Sequence, residues 1–386
     1  MNARPSSDAA NAVADDDPKV LAMTSLGKFG RFGNSIFQYA FLKICARASG
    51  AEVQTAPWVG NDLFGHHDPP VTASLGCVIE DGATMNSLLD TMPELVPFLE
   101  RTTRSKARYI GVEAMTEGGP SGNVFGLFQW HSSAYRPHKE YFRSLFQPSE
   151  DLRPWLDEPI TEMRKRGRTI VALHLRTGDY HWLPMYTWTL MPPPQWWAEW
   201  LASVWKDLDD PVLYLCSNDV GAIRSWFKEF NPVTSDDFPT APPGRLKGMS
   251  VEFFRDFHVL TQADVLGISN STFSFAAAML NERATRFVRP HWDFSTRFTD
   301  FDPWDAQPLL ALSAPVPSMH KGYRRMLRVA RETGGIKGAI ASALLYHPVG
   351  SAAVLKIRLG LAFQGRGWRG VRDHFLRRRP PAASAG

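Results

Sequence analysis

The sequence predicts an α/β fold, and three observations support this prediction. A short apolar stretch typical of a buried strand, LAMTSLG, is followed by a helical pattern, NSIFQYAFLKICARAS, that stops at Gly50. Four further apolar runs in the second half are typical of parallel strands covered on both faces, and helical patterns separate them. The length of 386 residues suits two domains. We therefore expect two facing Rossmann-like domains with the active site in the cleft between them.

The predicted organisation starts with residues 1–19, a small, polar and acidic leader without the apolar segment of a signal peptide. Residues 20–150 form the predicted N-terminal domain, where a long loop-rich region separates the first helix from a strand at 123–130. The charged, Pro-bearing stretch 151–168 is interpreted as a linker. Residues 169–315 form the second domain, with strands at 169–176, 212–218, 264–271 and 285–290 and helices at 195–208, 220–230 and 272–282. A basic tail follows at 316–386.

Composition excludes some classes of protein. Hydrophobic residues make up 44% and charged residues 21%, which argues against a disordered chain or a fibre. The three cysteines, Cys45, Cys77 and Cys216, have neither CxxC nor metal-ligand spacing and leave an odd thiol. This argues against a disulfide-built secreted domain, so we expect a reducing, cytoplasmic compartment.

The net charge of +4 hides a strong asymmetry. From His320 to Gly386 there are 14 Lys and Arg against two acidic residues, a net charge of +12. The preceding 319 residues hold 29 basic and 37 acidic residues, a net charge of −8. Because the body is mildly acidic, the basic isoelectric point does not indicate general binding to nucleic acid.

The first motif is GKFGRFGN, which runs from Gly27 to Asn34 between the first strand and the first helix. Glycines at 27, 30 and 33 let backbone amides approach a ligand at a helix N-terminus, where the helix dipole favours anions. The spacing fits neither GxGxxG nor GxxxxGK[ST], which argues against a dinucleotide fold and a P-loop. The structural alternative is a glycine turn that only packs strand on helix.

The second motif is HLRTGDY, at the carboxyl end of the predicted strand 169–176. That end of a strand faces the ligand crevice in open α/β sheets. His174 and Arg176 are two residues apart and share one face of the strand, and a guanidinium there suits bidentate pairing with phosphate. The alternative is a structural ion pair between Arg176 and Asp179.

The third motif spans residues 256–281, where the strand-like DVLGIS leads into Asn270, Ser271 and Thr272 and then into a helix that begins with Phe273. Ser and Thr at a helix start are common N-caps, but their hydroxyls and amides also form a phosphate cradle. Asp256 carries a carboxylate able to accept from the N1–H and exocyclic amine of guanine. The alternative is a solvated surface carboxylate.

Together these motifs resemble the bacterial α-1,2-fucosyltransferases, a family similar to glycosyltransferase family 11. GRFGNSIFQYAF resembles the GLGNQMFQYA opening of the family, HLRTGDY its HxRRGDY motif and NSTFSFAAAMLN its NSSFSWWGAWLN motif, in the same order. LFQWHSSAYRPHKEYFRSLF resembles the family segment GYFQSEKYF, and GRFGN and QAD look like the related protein O-fucosyltransferases. The resemblance covers residues 24 to 295.

This resemblance implies a GT-B-like fold, GDP-fucose as donor substrate, and inversion at the sugar carbon with no metal or other cofactor. It places Asn34 where the sugar carbon faces the acceptor. From their motifs, we expect Gly30, Gly33 and His174 in the donor site. Arg176 and the amides at Ser271 and Thr272 would hold the pyrophosphate of the donor, because departing GDP develops negative charge.

Two positions depart from the family pattern. Thr177 stands where the family usually has a second Arg, so one phosphate contact is missing or replaced. Phe275 and Ala276 stand where the family has a pair of Trp residues, which changes the shape of the donor pocket.

Neither the general base nor a metal site follows from the sequence. Asp179 and His174 both remain candidates for the base. Asp300-Phe301-Asp302 forms a DxD string, which we interpret as a solvated loop beyond the last strand. His66-His67-Asp68 lies in a Pro-rich loop without further ligand spacing, so we expect no metal.

Three rival functions follow from the same residues. The first rival is the transfer of another GDP-linked sugar, since the sequence does not show which sugar hydroxyls are recognised. The second rival is a non-catalytic sugar- or nucleotide-binding module. Binding to nucleic acid through the tail is the third rival, and it predicts salt-sensitive retention on DNA.

The tail points to a membrane surface. Residues 338–355 carry no charge for 18 positions, but a His-Pro pair and Gly350 interrupt them, which argues against a membrane span. Arginine clusters at 324–328 and 377–379 suit a cationic amphipathic segment on an anionic leaflet, and the alternative is a solvated end. We therefore expect a peripheral protein on the cytoplasmic face of the membrane, where lipid-linked saccharides serve as acceptors.

We predict that a protein ending near Ser318 stays folded but no longer floats with anionic liposomes. Basic residues near an anionic bilayer contribute about 1 kcal/mol each, so even part of the tail is enough for binding at low salt. Liposome flotation of the full-length and shortened chains measures this. Equal flotation of both chains would reject the membrane role, and unfolding of the shortened chain would show that the tail packs on the body.

Overall fold

The structure is a computed structural model that describes residues 19–72, 74–81, 108–176, 192, 194–291 and 298–310. It confirms the predicted α/β class, with parallel strands alternating with helices. The chain divides into two compact units. The first consists of Met1–Leu26, Tyr39–Pro57 and His67–Gly126, and the second of Gly27–Gln38, Trp58–His66 and Leu127–Gly386.

The described elements follow one another along the chain in a fixed order. In the first third they are β1 (Val20–Met23), α1 (Phe32–Ser49), β2 (Glu52–Thr55), α2 (Val59–Phe64), β3 (Cys77–Glu80), β4 (Arg108–Ile110), α3 (Ala114–Glu117) and β5 (Gly122–Phe125). Then come α4 (Lys139–Ser144), α5 (Arg153–Arg166), β6 (Thr169–Leu175), α6 (Pro194–Trp205), β7 (Pro211–Ser217), α7 (Val220–Ile223), α8 (Phe253–Gln262), β8 (Val265–Ile268), α9 (Thr272–Leu280), β9 (Arg286–Pro290) and β10 (Phe298–Asp300).

The first unit contains a parallel sheet with the strand order β2-β1-β5-β3-β4. The sequence predicts loops between α1 and β5, whereas the structure has three strands there. Each of these strands has only three or four residues, which is too short for a recognisable period. The strand predicted at 123–130 is confirmed only as far as Phe125.

Helix α1 confirms the predicted helix and ends before Gly50, whose φ of +68° is the left-handed conformation that favours glycine. The sequence suggests one apolar stripe, but residues 36–42 are all buried. The helix is therefore covered on all sides along this stretch.

The second unit contains a sheet with the order β7-β6-β8-β9-β10, in which β10 alone runs antiparallel to its neighbour. The chain enters at β6, adds β7 on one side and then continues at β8 on the other side. The connections from β6 and β8 therefore leave in opposite directions. Ligands of open α/β sheets bind at such a switch point, beyond the carboxyl ends of the strands.

The core of this unit lies on both faces of the sheet. Every residue of β6 after Thr169 is buried, as expected for a parallel strand covered on both faces. On one face, Val171 and Leu173 pack with Trp197 and Leu201 of α6. Helices α8 and α9 pack against each other and hold Phe254, Leu260, Phe275 and Met279 in the core.

The stretch interpreted as a linker, residues 151–168, contains α5 and belongs to the second unit. Trp155, Leu156, Pro159 and Met163 are buried, on one side of a helix that is otherwise polar. The low mean hydropathy of the stretch hides this apolar side, because only these four positions are buried.

Asp264 connects three elements of the second unit, just before β8. Arg164 of α5 forms a bidentate pair with its carboxylate, at 2.6 and 2.8 Å. The same carboxylate accepts a hydrogen bond of 2.7 Å from the backbone N–H of Ile170 in β6. Bidentate, charge-assisted hydrogen bonds are among the stronger polar contacts in proteins.

We predict that Asp264→Asn lowers the free energy of unfolding by about 1–3 kcal/mol, because Arg164 loses one of its two carboxylate acceptors at a part-buried site. The matched control is Asp209→Asn, which removes a carboxylate that is 66% exposed and paired only with Arg168 at the surface. Thermal unfolding of both variants measures the difference. Equal midpoints for Asp264→Asn and Asp209→Asn would show that Asp264 does not hold the sheet and α5 together.

Candidate functional site

The carboxyl end of β6 carries two of the predicted site residues, and Ser269 fixes their backbone. Ser269 follows β8, and its hydroxyl donates to the carbonyl of His174 at 2.8 Å. The same hydroxyl accepts from the backbone N–H of Arg176 at 2.7 Å. One serine therefore joins the ends of β6 and β8 at the switch point of the sheet.

His174 is buried below this edge, with 3% of its surface exposed. Burial, and then the positive charge of Arg176, lower the pKa of His174 to about 3. Its imidazole is therefore neutral near neutral pH and contributes no positive charge. Arg176, which is half-buried, supplies the cation at this end of β6.

Helix α9 begins directly beyond β8, and no side chain of its N-cap residue caps its N-terminus. Ser271 is the N-cap residue, but its side chain makes no capping hydrogen bond. Thr272 and Phe273 are partly exposed at the first turn. The side chain of Asn270 is used elsewhere, because its Oδ1 accepts from the backbone N–H of Leu310 at 2.9 Å.

The glycine motif lies against this helix start. A Cβ at Gly33 would be 2.4 Å from the backbone nitrogen of Phe273 and 2.6 Å from the carbonyl carbon of Thr272. Only glycine permits such an approach of two backbones. The N-termini of α1 and α9 therefore meet at Gly33.

Gly30 and Asn34 complete the turn. Gly30 has a φ of +88°, and a Cβ there would be 2.2 Å from Nδ2 of Asn34. The Oδ1 of Asn34 accepts two hydrogen bonds of 2.7 Å, one from Thr272 Oγ1 and one from Gln129 Nε2. With its oxygen held by two donors, the amide of Asn34 directs its NH₂ group towards the glycine turn.

No function was predicted for Gln129, although it lies in the LFQW segment that resembles the family. It is buried, with 7% of its surface exposed. The signal for its role was therefore present in the sequence, but the pairing with Asn34, 95 positions earlier, is visible only in the structure.

The ring of Phe32 fixes the glycine motif from the other side. Its centroid lies 4.9 Å from that of Phe253 and 5.0 Å from that of Phe257, both on α8. Phe257 in turn packs edge-on against Phe273, at 5.2 Å. Helix α8 thereby contacts both N-termini that meet at Gly33.

Asp256 lies on α8 and points to β7 rather than to bulk solvent. Its Oδ1 accepts a hydrogen bond of 2.6 Å from Tyr214 Oη. Burial raises the pKa of Asp256 to about 6, although hydrogen bonds from Tyr214 and Cys216 oppose the shift. Cys216 pairs in register with His174, so Asp256 lies at the same edge of the sheet.

Not every predicted position joins this site. Asp179 and Thr177 lie outside the described residues. Phe275 is fully buried and stacks on Phe301 at 5.9 Å. It therefore belongs to the core beneath α9.

The acidic candidates for a metal site are engaged elsewhere. Asp300 is the last residue of β10 and pairs with Arg286 at 2.9 Å, so the prediction that it lies in a loop beyond the last strand is wrong. Asp302 pairs with Arg136, and Asp68 accepts from a tyrosine and a lysine of α1. Within the described part of the chain, no group of three or more His, Cys, Asp or Glu is arranged to bind a metal ion. Among the same residues, no helix is long and apolar enough to cross a membrane.

The fold and the site together define an α/β protein with a polar site beyond the carboxyl ends of β6 and β8. This site combines the guanidinium of Arg176, the oriented carboxamide of Asn34 and the N-terminus of α9, whose N-cap side chain makes no capping hydrogen bond. Such a combination suits an anionic ligand that carries further hydrogen-bonding groups.

Comparisons with known proteins add a structural likeness. No protein-family model matches the chain, and no curated protein matches it by sequence. The fucosyltransferase NodZ from Bradyrhizobium has a TM-score of 0.44 and 11% identity, over 74% of this chain and 99% of that one. A variant of Arabidopsis thaliana FUT1 in complex with GDP has a TM-score of 0.41 and 12% identity, over 74% and 72% of the chains. POFUT1 in complex with GDP has a TM-score of 0.37 and 10% identity, over 69% and 96%.

We predict that Gly33→Ala destabilises the second unit by about 1–3 kcal/mol, because the new methyl group overlaps backbone atoms that have no free rotation. Gly244→Ala is the matched control, since a Cβ there has no atom within 4 Å. Thermal unfolding compares the two variants. A Gly33→Ala variant as stable as Gly244→Ala would mean that the two helix starts do not need their close contact.

Proposed function

We propose that this chain is an inverting fucosyltransferase that moves fucose from GDP-fucose to a hydroxyl of a saccharide acceptor, as galactoside α-1,2-fucosyltransferases do. The observation that carries the proposal is the hydrogen bond between Asn34 and Thr272. It joins the first and third family-like motifs, while Ser269 joins the third to the second at Arg176. Residues that are up to 238 positions apart thus share one site.

The chemistry of the site suits the departure of GDP. In the proposed step, the acceptor oxygen attacks the anomeric carbon of fucose as the bond from that carbon to the phosphate oxygen breaks. The electron pair leaves with GDP, and the proton of the hydroxyl goes to a general base. Arg176 and the amides at the start of α9 are fixed donors for the charge that develops on the diphosphate. The Asn34 amide is the group closest to where the resemblance places the sugar carbon.

Asp179 is the stronger candidate for the general base. His174 is buried and its pKa of about 3 makes it a weak base. Asp256 is proposed as the guanine-recognising carboxylate, because it lies beside β7, where Tyr214 Oη donates to its Oδ1. The donor therefore extends from β7 towards the start of α9.

Two alternative functions fit the same residues. In the first alternative the chain transfers another GDP-linked sugar, since the sequence does not show which sugar hydroxyls are recognised. Alternatively, it is a binding module that keeps the fold without turnover. Release of GDP from GDP-fucose in the presence of a saccharide acceptor distinguishes an enzyme from a module, and GDP-mannose in the same assay tests the sugar.

The cellular setting is part of the proposal. We propose that the enzyme acts at the cytoplasmic face of a membrane, with the basic residues at 316–386 on anionic lipids and lipid-linked saccharides as acceptors. This part of the proposal rests on the charge pattern of the tail alone, because those residues lie outside the described ones.

A thermal-shift panel tests the donor class. We expect GDP to raise the unfolding midpoint, while UDP and ADP change it little, because a ligand stabilises in proportion to RT ln(1 + [L]/Kd). Turnover with GDP-fucose should persist in EDTA. Equal shifts with all three nucleotides, or turnover that requires Mn²⁺ or Mg²⁺, would overturn the donor assignment or the metal-free mechanism respectively.

We predict that Arg176→Lys, which keeps the charge but loses the planar fork, slows transfer severely. Loss of one preorganised donor costs about 2.7–4 kcal/mol in the transition state, or roughly a hundred- to a thousandfold in rate. Arg168→Lys is the control, because Arg168 is 72% exposed and pairs with Asp209 at the surface. Near-normal kcat in a folded Arg176→Ala variant would show that Arg176 does not stabilise the leaving group.

A further inference from the structure

Arg289 is a partly buried cation that has no acidic partner among the described residues. One of its Nη1 hydrogens binds the carbonyl of Gln307 at 2.6 Å, and its guanidinium lies 4.7 Å from the ring centroid of Phe301. Its Nε is buried without a hydrogen-bond partner. Burial lowers the pKa of Arg289 to about 10, and no carboxylate opposes the shift. A buried charge without a counter-charge is costly, so it needs a reason.

The other arginine of the same strand shows what is missing. Arg286 of β9 pairs with Asp300 at 2.9 Å and lies over the ring of Trp200. Arg289 has the aromatic contact but not the carboxylate. Within the described part of the chain, no carboxylate therefore neutralises the charge of Arg289.

The register of the sheet places Arg289 at the candidate site. Gly267 of β8 pairs with Val288, so Arg289 lies beside Ile268, the last residue of β8. Val288 packs in the core on the side of α6, so Arg289 points to the opposite face. That is the face of α9, because Phe301 stacks both on Arg289 and on Phe275 in the first turns of α9.

Arg176 and Arg289 therefore extend from the two strands that neighbour β8, the strand that leads into α9. β8 lies between β6 and β9 in the sheet, and α9 follows β8. Arg176 comes from the β6 side and Arg289 from the β9 side. A diphosphate at the N-terminus of α9 would then have a guanidinium on each side, each with a planar fork that matches phosphate oxygens.

We propose that Arg289 is the second cation for the diphosphate of the nucleotide donor. It would take the place of the second arginine of the family motif HxRRGDY, where this chain has Thr177. This inference rests on the proposed function. It adds a donor-binding residue that no motif contains, 113 positions after Arg176 in the chain.

Binding of GDP and guanosine to wild type, Arg289→Met and Arg286→Met tests this role. GDP carries the diphosphate and guanosine does not. We expect Arg289→Met to weaken GDP about 10- to 100-fold, as for loss of a hydrogen bond to a charged group, and to leave guanosine unchanged. Arg286→Met should bind both as wild type does. Arg289→Lys, which keeps the charge in a conservative change, should recover part of the GDP affinity.

Two outcomes would overturn the role of Arg289. One is unchanged GDP affinity in Arg289→Met. The other is an equal loss of GDP and guanosine affinity, which would mean that Arg289 only supports residues 301–310. If wild type binds neither compound, the proposed function is wrong. Inorganic pyrophosphate then decides on Arg289 alone: binding that is lost in Arg289→Met upholds it, and binding that persists, or is absent in wild type, rejects it.

Discussion

The contact of Gly33 with the backbone at Thr272 and Phe273 is the constraint on which the candidate site depends. It lets the N-termini of α1 and α9 approach more closely than any side chain at this position would allow. At that distance Asn34 reaches Thr272, and Gln129 can complete the pair of donors to its oxygen. The orientation of the Asn34 amide thus follows from the absence of one Cβ atom.

The sheet of the second unit places the charged groups around this contact. Because β8 lies between β6 and β9, a cation on β6 and a cation on β9 lie on either side of the strand that leads into α9. Ser269 holds the ends of β6 and β8 together through two hydrogen bonds, so the backbone at Arg176 is fixed before any ligand binds. Preorganised donors of this kind avoid a reorganisation cost during a reaction.

Burial shifts the pKa values of the titratable groups at the carboxyl edge of this sheet. His174 is neutral because it is buried next to Arg176, whereas burial raises the pKa of Asp256 although hydrogen bonds from Tyr214 and Cys216 oppose the shift. The described carboxylates of the DxD string are paired with surface arginines. Positive charge at the sheet edge is therefore concentrated in guanidinium groups, which suits phosphate oxygens better than a metal-ligand set does.

The sequence by itself determined the α/β class, the end of α1, the start of β6 and the candidate residues of three motifs. These signals are local: a glycine ends α1, and a run of apolar residues marks a strand that is buried on both faces. The short strands between α1 and β5 were not predicted because three or four residues carry no period. The helix at 153–166 was not predicted because its four buried positions stand among charged residues. Only the tertiary structure decided that Gln129 orients Asn34 and that Arg289 faces α9 with no acidic partner among the described residues. Both facts depend on strand order and register, which bring together residues that are far apart in the chain and leave no pattern within any single segment.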